Sequence, residues 1–184
     1  MTEQNTRERR RMAVWLLPGE PERTRLLSTI TELARQQGAP SFVPHVTLLS
    51  GVGELEEWQA KLGSLMPQLS RVTARVSGVG HSERLFKTLY LQLEAADALC
   101  TLQRQVAQLL GQDYVFDPHL SLLYRAALPI SEREALAATV ARPPQLCGTS
   151  LALAYPAHDH WEAIARWTVI PLGELALTPE IHLR

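Results

Sequence analysis

Two segments of the sequence repeat one arrangement, a histidine followed two residues later by a hydroxyl side chain. The string FVPHVTLL at 42–49 returns as FDPHLSLL at 116–123, with five of eight positions identical. Alternate residues of an extended strand point to the same face, so each histidine shares a face with the hydroxyl that follows it. The pairs are His45 with Thr47 and His119 with Ser121.

An imidazole accepts or releases a proton near neutral pH. Two imidazoles on opposite sides of a bound group can therefore act as general base and general acid in one displacement. Neighbouring hydroxyls can donate hydrogen bonds to an anion held between them. A phosphodiester, with an attacking oxygen on one side and a leaving oxygen on the other, fits this arrangement. The pattern predicts such a substrate and a reaction that requires no metal ion.

The repeated motifs resemble the paired HxTL and HxSL signatures of the 2H phosphoesterase superfamily. Four longer strings are similar to its cyclic phosphodiesterase branch, known from plants and yeast. The similarity covers about residues 12 to 172, although the two motifs carry most of its specificity. The four strings are Val14–Pro18, Phe42–Thr47, Pro118–Tyr124 and Trp161–Glu162.

This resemblance implies an α+β fold of two lobes related by a pseudo-twofold axis. Each lobe would be a mainly antiparallel sheet with helices outside, and a cleft would lie between the lobes. The implied reaction is hydrolysis of ADP-ribose 1″,2″-cyclic phosphate, and of nucleoside 2′,3′-cyclic phosphates to 2′-phosphates, without a cofactor. His119 would be the base that activates water, and His45 the acid that protonates the leaving oxygen. The reverse assignment stays open because the halves are nearly symmetric.

The same resemblance makes Thr47 and Ser121 the side chains that hold the non-bridging phosphate oxygens. Tyr124 matches a tyrosine that lies by the phosphate in the cyclic phosphodiesterase branch. Strict alternation from His119 would turn Tyr124 to the opposite face, so contact with the phosphate requires a local twist or bulge, and the alternative is a tyrosine of the core.

Further aromatic residues are candidates for contact with the substrate. Trp15 and Phe86 could stack on a base or cap the cleft, although aromatic residues on strands are often part of the core. Trp161 has the same two interpretations. His158-Asp159-His160 could be mistaken for a metal site, but with no third ligand predictable nearby a solvated turn is favoured. The sequence has no P-loop, which argues against hydrolysis of nucleoside triphosphates.

Hydrophobic periodicity indicates alternating strands and helices. Gly38 and Gly111 are expected to end the two long helices, and Ser131 to Glu134 has the pattern of a capping box. Strands are predicted at Met12–Leu17, Val46–Leu49, Val72–Val79, Leu85–Leu93, Leu120–Tyr124, Leu151–Tyr155 and Glu162–Ile170. Helices are predicted at Glu22–Gln37, Glu54–Leu65, Ala95–Leu110 and from Ser131 onward.

Composition places the 184-residue chain among ordinary globular proteins, with 46% hydrophobic and 20% charged residues. One domain is expected at 12–174, between a mobile tail at 1–11 and a second tail at 175–184. Cys100 and Cys147 form no disulfide framework, which favours the cytoplasm. No segment is long and apolar enough to cross a membrane. We expect a monomer that acts on a small-molecule cyclic phosphate.

Two other functions remain open from the sequence. An RNA 2′,3′-cyclic phosphodiesterase, or 2′-5′ RNA ligase, would share the motifs but act on RNA ends. Such an enzyme needs a basic track near the cleft, whereas the net charge is only −1. A non-catalytic module that binds cyclic phosphates or RNA ends is the second alternative. The basic residues that folding could bring near the cleft are Arg71, Arg75, Arg84, Lys87 and Arg125.

Overall fold

The computed structural model of the chain describes residues 8–156 and 163–177. Within these ranges it contains seven strands and four α-helices, so the α+β class is confirmed. The strands are β1 (Arg9–Pro18), β2 (Val46–Glu54), β3 (Val72–His81), β4 (Leu89–Leu93), β5 (His119–Leu123), β6 (Gln145–Tyr155) and β7 (Thr168–Glu174). The helices are α1 (Glu22–Gln37), α2 (Leu55–Leu65), α3 (Asp97–Leu110) and α4 (Ile130–Thr139).

The two predicted sheets are two halves of one antiparallel sheet. Six strands close into a ring in the order β1-β2-β5-β4-β3-β6, and β7 pairs with the later part of β6. The long strand β6 serves both halves, because its Gly148 pairs with Pro18 of β1 and with Val72 of β3. On the other side of the ring, β2 and β5 meet at one residue pair, Val46 and Leu120. The two histidine-bearing strands are therefore neighbours.

Each half contains one copy of a strand–helix–strand unit, β1-α1-β2 or β4-α3-β5. Both helices present an apolar face at helical spacing, as Leu26, Ile30 and Leu33 do in α1. Both end at a glycine with positive φ, 59° at Gly38 and 62° at Gly111, a conformation that glycine adopts without steric cost. α1 packs on β1 and β5, and α3 packs on β2 and β3, so each helix bridges the two halves.

Both histidine-bearing strands carry a bulge at the same point of the repeat. The pairing of β1 with β2 skips Leu48, and the pairing of β4 with β5 skips Leu122. An extra residue reverses the alternation of side chains beyond it. Ser50 and Tyr124, each five residues after its histidine, consequently return to the face of that histidine. The bulge that Tyr124 requires is present.

Several local predictions are wrong. The segment predicted as one strand, Leu85–Leu93, begins with a 3-10 turn at Leu85–Lys87. The buried hydroxyl of Thr88 lies 3.1 Å from the Leu85 carbonyl and 2.9 Å from that of Arg125, which fixes the turn. The capping box at Ser131 does not form, because α4 begins at Ile130 after Pro129 and has no side-chain cap.

The ends of the chain are more ordered than expected where the structure describes them. β1 begins at Arg9, before the predicted Met12. Leu175 is buried, and Ala176 forms a parallel bridge with Ser70. In the predicted strand Glu162–Ile170, a 3-10 turn at Ile164–Arg166 precedes β7, and Glu162 itself lies outside the described residues. None of the helices in residues 8–156 and 163–177 has the length and apolar character to cross a bilayer.

The shared position Gly148 yields a stability prediction. A Cβ there would lie 2.5 Å from the Leu16 side chain, so Gly148→Ala overpacks the point where β6 joins both halves. We expect a loss of about 1–3 kcal/mol in the free energy of unfolding. At the exposed position 63 of α2, a Cβ on Gly63 meets nothing within 4 Å, and Gly63→Ala should gain about 0.5–1 kcal/mol. Urea unfolding followed by tryptophan fluorescence measures both; a neutral Gly148→Ala would contradict the argument.

Candidate active site

His45 and His119 lie on either side of the junction of β2 and β5. His45 immediately precedes Val46, and His119 immediately precedes Leu120, the two residues that pair across the junction. Both imidazoles line one cavity with a volume of about 140 Å³. The structure therefore brings together two residues that are 74 positions apart in the sequence.

The two imidazoles are held by equivalent hydrogen bonds. Nδ1 of His45 lies 2.6 Å from the Val43 carbonyl, and Nδ1 of His119 lies 2.6 Å from the Asp117 carbonyl. A carbonyl oxygen can only accept, so Nδ1 carries a hydrogen in both rings. This fixes the tautomer of each neutral ring and leaves Nε2 as the nitrogen that gains or loses a proton. The repeated segments therefore share the orientation of the histidine ring as well as the histidine itself.

His45 is enclosed by aromatic rings. Its ring stacks on Trp15 with centroids 3.7 Å apart, and its Nε2 lies 3.4 Å from the Tyr124 hydroxyl. Only 4% of the residue is exposed. Burial lowers the pKa of His45 to about 4, against the raising effect of the Val43 hydrogen bond; a charge on His119 lowers it further. His45 is therefore neutral in the free protein at neutral pH.

His119 has a more open and more polar environment. Burial lowers its pKa, the hydrogen bond to the Asp117 carbonyl raises it, and the nearby Lys87 charge lowers it. Lys87 donates a hydrogen bond to the Asp117 carboxylate, and its Nζ lies 4.2 Å from the centroid of the Tyr90 ring. That ring also meets His119 edge-on, at a centroid distance of 5.6 Å. A cation, a carboxylate and an aromatic ring thus surround this histidine.

The two hydroxyls have different environments. Thr47 lines the cavity. Ser121 is 3% exposed and donates its hydroxyl hydrogen to the Phe86 carbonyl at 2.8 Å. For Ser121 to donate to a phosphate oxygen, that hydrogen has to leave the Phe86 carbonyl. Thr47 is consequently the more accessible of the two predicted phosphate ligands.

All three predicted aromatic residues line the cavity: Trp15, Phe86 and Tyr124. Phe86 does so from a 3-10 turn rather than from the predicted strand. Tyr124 stacks on Phe42 at a centroid distance of 3.9 Å and meets Phe86 edge-on at 5.2 Å. Burial raises the pKa of Tyr124, so its hydroxyl keeps its hydrogen and can donate it.

The cavity wall also contains residues that the sequence did not predict. The repeat itself could have identified Ser50, because it occupies the position that Tyr124 holds in the second half. Trp167 stacks on Trp15 at a centroid distance of 5.6 Å. No motif marks Trp167, and none marks the other three wall residues that were not predicted. Trp161 and His158-Asp159-His160 lie outside the described residues. The wall residues that were not predicted are Ala13, Ser50, Tyr114, Ile164 and Trp167.

None of the five predicted basic residues lines the cavity. Arg71 and Arg75 form ion pairs with Glu174 and Glu94. Arg125 donates to the Gln37 carbonyl at the end of α1. Lys87 is the member of the predicted set that contributes to the electrostatics of His119.

The buried state of His45 can be tested by nuclear magnetic resonance of the histidine side chains. We expect His45 to keep the tautomer with hydrogen on Nδ1 and to stay neutral until the pH falls towards 4, because protonation would place a charge in an aromatic enclosure. His119 should also titrate below 6.5. The variants His45→Asn and His119→Asn assign the signals. A His45 pKa at or above 6.5, or hydrogen on Nε2 of the neutral ring, would contradict this description.

Comparisons with known proteins identify the family and the fold of the chain. The family described as cyclic phosphodiesterase-like protein matches residues 11–171. No curated protein matches the sequence. Escherichia coli LigT complexed with phosphate has a similar structure at 19% identity, with 93% of this chain and 99% of that chain covered and a TM-score of 0.57. The protein TT0787 of Thermus thermophilus is similar at 19% identity, 91% and 97% coverage and a TM-score of 0.56. These likenesses confirm the predicted 2H phosphoesterase fold, and the chain belongs to the cyclic phosphodiesterase-like family of 2H phosphoesterases.

Proposed function

We propose that this phosphoesterase is a metal-independent cyclic phosphodiesterase. Its substrates are ADP-ribose 1″,2″-cyclic phosphate, nucleoside 2′,3′-cyclic phosphates, or both, and the latter are opened to 2′-phosphates. The observation that supports this most strongly is the pair of imidazoles in one cavity, each fixed through Nδ1 so that Nε2 is the reactive nitrogen.

The reaction uses the two imidazoles in one displacement. His119 takes a proton from water, the water oxygen forms a bond to phosphorus, and the bond to one ring oxygen breaks. His45 gives its proton to that leaving oxygen. Thr47 and Ser121 donate hydrogen bonds to the non-bridging oxygens, on which negative charge is concentrated. The reverse assignment of the two histidines satisfies the same balance of atoms.

At neutral pH the acid must gain its proton before the reaction, because burial keeps both imidazoles neutral in the free protein at that pH. A bound phosphodiester carries a negative charge, and an anion within a few ångströms favours the imidazolium form. Substrate binding and protonation of one histidine are therefore coupled. The negative phosphate stabilises the positive imidazolium, which burial among aromatic rings would otherwise disfavour.

The directions of the two histidine pKa values predict the pH dependence of kcat/KM. The active free enzyme has one protonated and one neutral histidine. Since His45 has the lower pKa, most of the singly protonated enzyme carries the proton on His119, and the form with His45 as the acid is the minor one. Below pH 4 both imidazoles are protonated and no base is present; above the pKa of His119 both are neutral and no acid is present. We expect a bell-shaped profile with its maximum between about pH 4 and 6.5, set by the macroscopic values of the pair. A flat profile, or a maximum above pH 7, would contradict the mechanism.

Substitution of either histidine tests the mechanism directly. His45→Ala and His119→Ala should each lower turnover by about 10²–10⁴-fold, because each removes one proton-transfer group. Binding of the cyclic phosphate should persist. His81→Ala is the matched control, since His81 lies at the end of β3 and outside the cavity wall.

Phosphorus NMR in excess EDTA is the measurement. The two substrates are ADP-ribose 1″,2″-cyclic phosphate and a nucleoside 2′,3′-cyclic phosphate, offered separately. Opening to a monophosphate in EDTA supports metal-independent hydrolysis, and the position of the phosphate names the leaving oxygen. Binding without turnover would instead favour the non-catalytic module, and an active double variant would overturn the two-histidine mechanism.

A further inference from the structure

The two copies of the repeated segment differ at one position in a way that changes its chemistry. Between 42–49 and 116–123, two of the three differences exchange similar side chains, whereas the third places Asp117 where the first half has Val43. Asp117 is also the residue whose carbonyl accepts the Nδ1 hydrogen of His119. The second half therefore has a carboxylate on the residue that orients its histidine.

Lys87 holds the carboxylate of Asp117. The Lys87 ammonium donates a hydrogen bond to this carboxylate, and only 14% of the Lys87 side chain is exposed. Burial raises the pKa of the Asp117 carboxyl, but the hydrogen bond and the charge of Lys87 outweigh it and hold this pKa below its usual value. The two residues therefore form an ion pair at neutral pH, and its cation is largely withdrawn from water.

Tyr90 supports the cation of this pair. It occupies the same register in the second half as Trp15 in the first, because each pairs with the hydroxyl residue that follows the histidine by two positions. Trp15 stacks on the histidine of its half. The face of Tyr90 instead carries the Lys87 ammonium, 4.2 Å from the ring centroid, and His119 meets only the ring edge. Equivalent aromatic rings thus stabilise a histidine in one half and a cation in the other.

The backbone of Asp117 lies outside the strand pairing. β5 begins two residues later, at His119. The residue between them, Pro118, is attached to β4, because its carbonyl accepts a hydrogen bond from the Gln92 amide at 2.9 Å. In the first half, Val43 at the equivalent position packs against the hydrophobic core. Asp117 has a polar anchor in place of that apolar one.

We propose that Lys87 and Asp117 are a positioning pair for His119: their ion pair fixes the backbone of residue 117, whose carbonyl then holds the imidazole with Nε2 as the reactive nitrogen. Neither residue of the pair lines the cavity, so both act through the histidine. This inference rests on the proposed function, because the orientation of His119 affects turnover only if His119 transfers a proton. It holds whether His119 acts as acid or as base.

The first test is a double-mutant cycle on a cyclic phosphate that the wild-type protein hydrolyses, with each variant measured at its own pH optimum. Lys87→Met and Asp117→Asn should each lower kcat by about tenfold and leave KM nearly unchanged, because a misplaced proton-transfer group costs rate rather than binding. The double variant should be no slower than the slower single variant, since all three lack the same interaction.

Three results of the cycle would overturn the proposal. The first is an unchanged kcat in both single variants. The second is a loss in the double variant that equals the product of the two single losses, because the two residues would then act independently. The third is a raised KM with unchanged kcat in Lys87→Met, which would mean that Lys87 binds the substrate directly.

Two variants serve as matched controls. Lys87→Arg keeps a cation that can bind the carboxylate and lie on Tyr90, so it should recover most of the lost kcat. Lys61→Met makes the same exchange in an ion pair with Glu57 on α2 and should change nothing. Equal losses in the two variants of Lys87 would contradict the proposal. Asp117 is exposed, so Asp117→Asn keeps the test valid even if Lys87→Met fails to fold.

The pH dependence is a readout that a merely structural role would not move. Burial is the main cause of the lowered pKa of His119; among the charged groups, Lys87 lowers this pKa further and Asp117 raises it. The basic limb of kcat/KM should therefore move to higher pH in Lys87→Met and to lower pH in Asp117→Asn. The double variant, which lacks both charges, should return towards the wild-type profile. Shifts in the same direction in both single variants would overturn the proposal.

The same order of pKa values should appear in a nuclear magnetic resonance titration of His119. Among the described residues, the titratable groups around His119 are Lys87 and Asp117 beside the ring, Tyr90 at its edge, and His45, Tyr114 and Tyr124 in the wall of the same cavity.

Failure of the proposed function would give a different result, namely no turnover of any cyclic phosphate by the wild-type protein. Magnetic resonance then tests the pair without catalysis. The Nδ1 hydrogen of His119 is bonded to the Asp117 carbonyl and should exchange slowly with water in the wild-type protein. Exchange should be faster in Lys87→Met and in Asp117→Asn and unchanged in Lys61→Met. An exchange rate that neither single variant alters overturns the positioning role.

Discussion

The pairing of Val46 with Leu120 is the contact on which the site depends. It joins the two histidine-bearing strands at one point only, so the strands diverge on both sides and leave a cavity between them. The ring cannot open there easily, because β6 joins the same two halves on the far side through Gly148. α1 and α3 each pack across the halves as well. A rigid frame thus surrounds a junction that is locally sparse in backbone hydrogen bonds.

Within this frame, contacts between residues two positions apart in the sequence fix the orientation of each histidine ring. In both segments a proline separates the histidine from the carbonyl that accepts its Nδ1 hydrogen. Proline fixes φ and has no N–H to donate, so it restricts how the chain enters the strand without adding a competing donor. Burial then keeps the imidazoles neutral until an anion arrives. At neutral pH neither histidine is therefore charged until the negative charge of the substrate favours its protonation.

Much of this could be predicted from the sequence because it depends on short-range patterns. The repeat, the helix-ending glycines Gly38 and Gly111, and the need for a bulge before Tyr124 are all visible over a few residues. The errors arose where a tertiary contact decided the conformation. The turn at Leu85–Lys87 depends on the buried hydroxyl of Thr88, which reaches the Arg125 carbonyl from the other end of the repeat unit. Tyr114 and Trp167 reach the cavity from segments without a motif, so no local signal marks them.

The two halves each retain the histidine, a hydroxyl and the bulge, yet they differ two residues after the bulged leucine, at Ser50 and Tyr124. A cyclic phosphate is itself nearly symmetric about phosphorus, and two equivalent imidazoles suit it. The remainder of a substrate is not symmetric, and a site with identical halves could not orient it. A tyrosine over His45 and a serine near His119 remove that ambiguity, because one side is closed by aromatic rings and the other remains accessible. Duplication accounts for the catalytic pair, and divergence at Ser50 and Tyr124 accounts for the direction in which a substrate can lie.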